Sequence, residues 1–222
     1  MLVCSMYLFL LFGPTLGFLL LTLTVYPSYE LGETRRAFLR GAVAAIPVWL
    51  LAHLLGSFVP LLYGSVLIAV HEWADRFLPF AVLPGLAYLV FYRLDEPLRP
   101  GSKPRRITSF YAGAICPLGV GEMVRVWGHP DAYELFVLPI LFVALFLAVP
   151  RIFTAIEDNY GARRVFIILG GLAASFAAAC SPWIFLLRFW PLAWILALGM
   201  LMAGWGIARG DLGRRPPLPF AE

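Results

Sequence analysis

Glutamine is absent from this chain of 222 residues, asparagine occurs once (Asn159), and lysine occurs once (Lys103). Amide side chains are common hydrogen-bonding links between helices in lipid. Without them, cohesion falls to small-residue packing, hydroxyls and a few charges. Cysteine is scarce as well: Cys4, Cys116 and Cys180 lie far apart in apolar stretches, with no C-x-x-C pair. That spacing excludes a disulfide framework or a zinc ribbon, and each cysteine reads as a small buried hydrophobe. Charge makes up only 14% of the chain, against roughly a quarter in a soluble domain.

Motif absences narrow the function classes. No Walker A loop and no dinucleotide-binding glycine pattern occurs, which excludes a nucleotide engine. No G-x-S-x-G nucleophile elbow occurs either. No lysine lies in a late apolar run, so a retinal Schiff base has no anchor. The basic residues are spread over short segments between apolar runs, which predicts no nucleic-acid partner. No cofactor is identifiable from the residues.

What is present is apolar: 61% of residues are hydrophobic and the mean hydropathy is +0.84. A water-soluble fold of this size has too little interior to hide that surface, and disorder is excluded by the same figures. The expected fold is an all-α polytopic transmembrane bundle. Residues 1–208 read as one membrane domain and 209–222 as a short basic, proline-rich cytoplasmic tail.

Seven runs have lengths that suit a bilayer span: 6–26, 41–59, 77–92, 107–127, 133–150, 165–181 and 190–208. The first has no basic residue before it, and no alanine precedes Ala37. It therefore reads as a retained span rather than a cleaved signal. Arginine placement orients the set. Fourteen of the seventeen basic residues fall on one side of a seven-span scheme, and the positive-inside rule makes that side cytoplasmic. The expectation is an N-terminus outside, a C-terminus inside, and residence in a bacterial inner membrane. Trp73, Trp127, Trp183 and Trp190 then mark the outer boundary. The stretch 60–76 is too short to span before its charged end, so it is expected as a re-entrant hairpin or interfacial segment.

Internal echoes suggest repeated helical hairpins. Arg-Arg pairs stand at 35–36, 105–106 and 163–164, with a proline eleven residues after the second arginine in the first two cases (Pro47, Pro117). His71, Glu72 and Asp75 precede Val82-Leu83-Pro84, as His129, Asp131 and Glu134 precede Val137-Leu138-Pro139. Repeats of this kind are common in transporters.

The candidate polar site gathers on the outer side: His53, His71, Glu72, Asp75, Arg76, Glu122, Arg125 and His129. On a regular helix His71 and Asp75 share a face. With His129 they form a weak candidate metal set, lacking the second histidine of H-E-x-x-H. Glu72 and Arg76, four apart, are spaced for an ion pair, as are Glu122 and Arg125, three apart. Glu122 and His53 fall inside spans, where polar groups usually face the bundle or a watery cavity.

Three functions are compatible with this pattern. The first is a permease-like or accessory subunit for a small solute or lipid. The second is an intramembrane metal-dependent hydrolase or transferase at the outer leaflet. The third is a structural or assembly subunit of a membrane complex. Expected partners are membrane lipid and either another membrane protein or a second copy. Small-residue stripes favour the last pair: Gly170, Ala174 and Ala178, then Gly199, Ala203, Gly204 and Ala208.

Overall fold

The computed structural model describes residues 31–58, 66–92, 103–125 and 131–212. All regular structure among them is helical. Helix α1 is Leu31–Ser57, α2 is Leu67–Tyr92, α3 is Lys103–Arg125, α4 is 133–158, α5 is Ala162–Leu186 and α6 is Trp190–Leu212. Five of them are long and apolar enough to cross a membrane, and the protein is an integral membrane protein on that ground. The sixth, α3, has the length without the hydropathy. Its middle explains why: Ile107, Thr108, Ser109, Phe110, Tyr111 and Ala112 are wholly buried. A helix sheathed by its neighbours does not meet lipid and need not be apolar all round.

Six of the seven apolar runs correspond to these helices; the run 6–26 lies outside the described residues. Residues 67–76 correct one expectation. They form no separate hairpin but are the first part of α2, which runs on to Tyr92. The whole helix is about 39 Å long at 1.5 Å per residue, enough to cross a bilayer with some tilt. Residues 60–65 of the expected hairpin lie outside the described set.

Two π-turns give α2 and α4 the same opening. Residues Trp73–Phe77 and Tyr133–Val137 are wound with i→i+5 bonds. In each, the N–H of the following leucine (Leu78, Leu138) reaches back five residues, to Trp73 or Tyr133, and a proline follows (Pro79, Pro139). A proline ring crowds the carbonyl four residues back and cannot donate a bond, and a widened turn relieves that crowding. The sequence echo is thus real in geometry but shifted in register: Leu78-Pro79, not Leu83-Pro84, is the partner of Leu138-Pro139. Another proline is handled differently. Pro182 frees the carbonyl of Ala178, and the Ser181 hydroxyl donates to it at 2.6 Å.

Helices α1 and α3 cross at two glycines in a reciprocal contact. A Cβ at Gly41 would strike the carbonyl of Phe110, and a Cβ at Gly113 would strike the carbonyl of Phe38. Each phenylalanine stands three residues before the glycine of its own helix. The two helices also begin at the same end of the bundle. Arg40 of α1 and Arg106 of α3 both lie over the ring of Tyr92, the last residue of α2, at 5.1 and 4.1 Å from its centroid. Arg151 donates to the Thr108 hydroxyl at that same end, at 3.0 Å. The pairs α1–α2 and α3–α4 are therefore two hairpins of one orientation, as the Arg-Arg echo predicted.

The aromatic core between them holds Phe77, Tyr88, Phe110, Tyr111 and Phe142. Lipid tails are as apolar as these rings, so close packing rather than escape from water holds them together. Of the small-residue stripes, Gly204 packs against the Ala144 backbone, whereas Gly170 and Gly199 face open space.

Candidate functional site

The charged residues converge at the opposite end from Tyr92. Arg76 sits on the π-turn of α2 and is 7% exposed. Its guanidinium meets three carboxylates from three helices. Glu72, one turn earlier on α2, lies 3.2 Å from Nη1. Glu122 of α3 lies 2.8 Å from Nε. Glu134, on the π-turn of α4, accepts a hydrogen bond from Nη2 at 2.7 Å. The planar fork of arginine suits such a divergent set of acceptors, where the single point charge of lysine does not.

Local sequence explains how Glu134 becomes available. Asp131 caps the start of α4, its Oδ1 accepting from the Glu134 N–H at 2.8 Å. In a capping box the residue at Glu134's position turns its carboxylate back to the cap. Here the carboxylate reaches across to Arg76 instead. Beside it, Tyr133 and Ser181 share a buried 2.7 Å hydroxyl contact that ties α4 to α5. Trp73 Nε1 donates to Ser175 Oγ at 3.0 Å and ties α2 to α5 as well.

A second carboxylate pair extends the cluster toward α1. Asp75 is buried, and its Oδ1 lies 3.8 Å from His53 Nδ1. The His53 side chain is 75% exposed on the outer flank of α1, stacked on Trp49 with ring centroids 5.5 Å apart. Three carboxylates thus meet one guanidinium, and a fourth, Asp75, adjoins them from the same π-turn.

Two cavities lie on either side of Arg76. One, of about 310 Å³, is lined by Trp49, His53, Asp75, Phe80, Leu118 and Glu122 among others. The other, of about 390 Å³, is lined by His71, Glu72, Arg76, Asp131, Tyr133 and Glu134 among others. Arg76 and its carboxylates are the partition between them.

The predicted residues sort clearly. Glu72, Arg76 and Glu122 meet in the cage, and His53 with Asp75 adjoins it. Glu122 is engaged by Arg76 from another helix. The side chain of Arg125 lies outside the described residues, as does His129. His71 and Asp75 do not share a face: His71 lines the larger cavity and Asp75 the smaller. Among the described residues no three His, Cys, Asp or Glu side chains gather as a metal site.

Two residues of the site were not singled out from sequence. Glu134 enters the sequence reading only through the echo of His71-Glu72-Asp75, which was the available signal. Trp49 is four residues before His53, the spacing that stacks them on one helix face. In comparisons with known proteins, the chain matches no family model, no curated protein and no solved structure.

Proposed function

We propose that this protein is a permease-like subunit of a bacterial inner membrane that handles a small solute or lipid through the cage at Arg76. The single observation carrying this reading is a buried guanidinium that meets carboxylates from three helices, with Glu122 lining one cavity and Glu72 and Glu134 the other. Ionisable groups inside spans are costly and mark substrate or proton pathways by default. In this reading Arg76 is an internal counter-ion. A cation or proton arriving at Glu122 or Asp75 releases part of its hold, and the contact between α2, α3 and α4 loosens. The π-turns that carry Arg76 and Glu134 supply the give, since such turns are less tightly bonded than regular helix.

The proposal includes the seven-span threading with the N-terminus outside. Arg40, Arg106 and Arg151 then face the cytoplasm, where they also attract anionic lipid, and the cage opens toward the outer side. The test is flux in reconstituted vesicles, with Glu122→Gln and His53→Ala as the decisive variants.

A second reading, an accessory or assembly subunit, is supported by one observation. Gly170 and Ala174 of α5 and Gly199 of α6 present small, exposed surface that no helix among the described residues covers. Small faces of this kind admit close approach of another helix. Native mass measurement in mild detergent tests it: a homogeneous monomer contradicts it.

A further inference from the structure

The smaller cavity has a lining that specifies more than a void. It lies between α1, α2 and α3. Its wall is mostly apolar, with Ala52, Pro79, Phe80 and Leu118, and carries two carboxylates, Asp75 beside His53 and Glu122 paired with Arg76. None of its described lining residues is lysine or arginine. Trp49 forms the rim and is half exposed on the flank of α1 that carries Leu50 and Leu54. The indole borders Gly121, where a Cβ would stand at an ordinary contact distance of 3.6 Å from Trp49 Nε1.

We propose that this cavity binds an alkylammonium group, borne by a free amine or by a lipid headgroup, admitted from the membrane flank past Trp49 and His53. The inference rests on the permease reading and names its substrate class. Carboxylates offset the positive charge, and the indole face attracts it as aromatic walls attract quaternary ammonium. The alkyl substituents meet Phe80 and Leu118. A divalent metal is a poorer match, because it needs six or more oxygens for calcium or an octahedral set for magnesium, and the lining is chiefly apolar. The volume of about 310 Å³ falls at the small end of ligand pockets, which suits a headgroup-sized ion.

The experiment is calorimetric titration of choline into the full chain in nanodiscs of phosphatidylglycerol alone. The uncharged isostere 3,3-dimethyl-1-butanol is the control. A parallel arm uses nanodiscs that also contain phosphatidylethanolamine. Saturable choline binding is expected, with no binding of the isostere. Asp75→Asn and Trp49→Ala are expected to weaken binding at least about tenfold, while Asp75→Glu retains it and each variant keeps its unfolding temperature. Loss of choline binding when phosphatidylethanolamine is present identifies the lipid headgroup as the source; undiminished binding identifies a free amine. Equal affinity for the isostere, or no choline binding together with no enrichment of phosphatidylethanolamine in the purified protein, overturns the proposal. Flux of another solute class without amine binding overturns this inference and leaves the permease reading standing. Amine binding without any flux does the reverse.

Discussion

Arg76 Nε and Glu122 Oε1 stand 2.8 Å apart, joining the π-turn of α2 to the last turns of α3 inside the bundle. Both side chains are almost wholly buried. A charge pair of this kind gains little over an apolar replacement of both partners, but loses much when one partner alone is removed. The contact therefore serves as a constraint on charge and position more than as a source of stability.

Arg76→Met is expected to destabilise the protein by about 3–5 kcal/mol, because Glu72, Glu122 and Glu134 then face one another without their cation. Adding Glu122→Gln and Glu134→Gln to that variant should recover part of the loss, since the residues are directly coupled. Thermal unfolding in a fixed detergent measures both. An Arg76→Met protein as stable as the parent would show that the cage is not held together by that charge.

Gly41 and Gly113 are expected to be intolerant of any side chain. Gly113→Ala should cost about 1–3 kcal/mol, as overpacking at a tight contact does, because the intruding atom meets the Phe38 carbonyl rather than a movable side chain. Gly170→Ala should leave stability within about 0.5 kcal/mol, since nothing stands near it. Unfolding temperatures of the two variants under one condition make the comparison.

Much of the fold was legible as hydropathy, and the departures have physical causes. The helix α1 starts at Leu31, ten residues before its apolar run, because hydropathy marks the hydrocarbon layer and not the helix end. The helix α2 looked interrupted by Glu72, Asp75 and Arg76. Its continuity depends on those charges being received by α3 and α4, which spacing along one helix does not report. Glu72 with Arg76 obeyed the four-residue rule. The contacts of Arg76 with Glu122 and Glu134 cross 46 and 58 positions of sequence, beyond any local pattern. His71 and Asp75 line different cavities although they stand four apart, a separation set by the helices packed around them rather than by their spacing.

Topology offers a separate check. A fluorescent protein fused after Glu222 should fold and fluoresce in a bacterial host, and so should one inserted at Gly161, the turn of positive φ between α4 and α5. Alkaline phosphatase at either point should be inactive. Active phosphatase at Gly161 would reverse the orientation drawn from the arginines.

The central claim is that the Arg76 cage handles a solute. Its most direct test is flux into proteoliposomes, offering in turn amines, amino acids, sugars and fluorescent lipid, with an internal pH-sensitive dye to report accompanying protons. The account predicts that one class moves faster than in protein-free vesicles, and that Glu122→Gln abolishes this movement in protein that still reconstitutes as a folded, monodisperse species. Movement of none of these classes, or movement unchanged by both Glu122→Gln and His53→Ala, would contradict it.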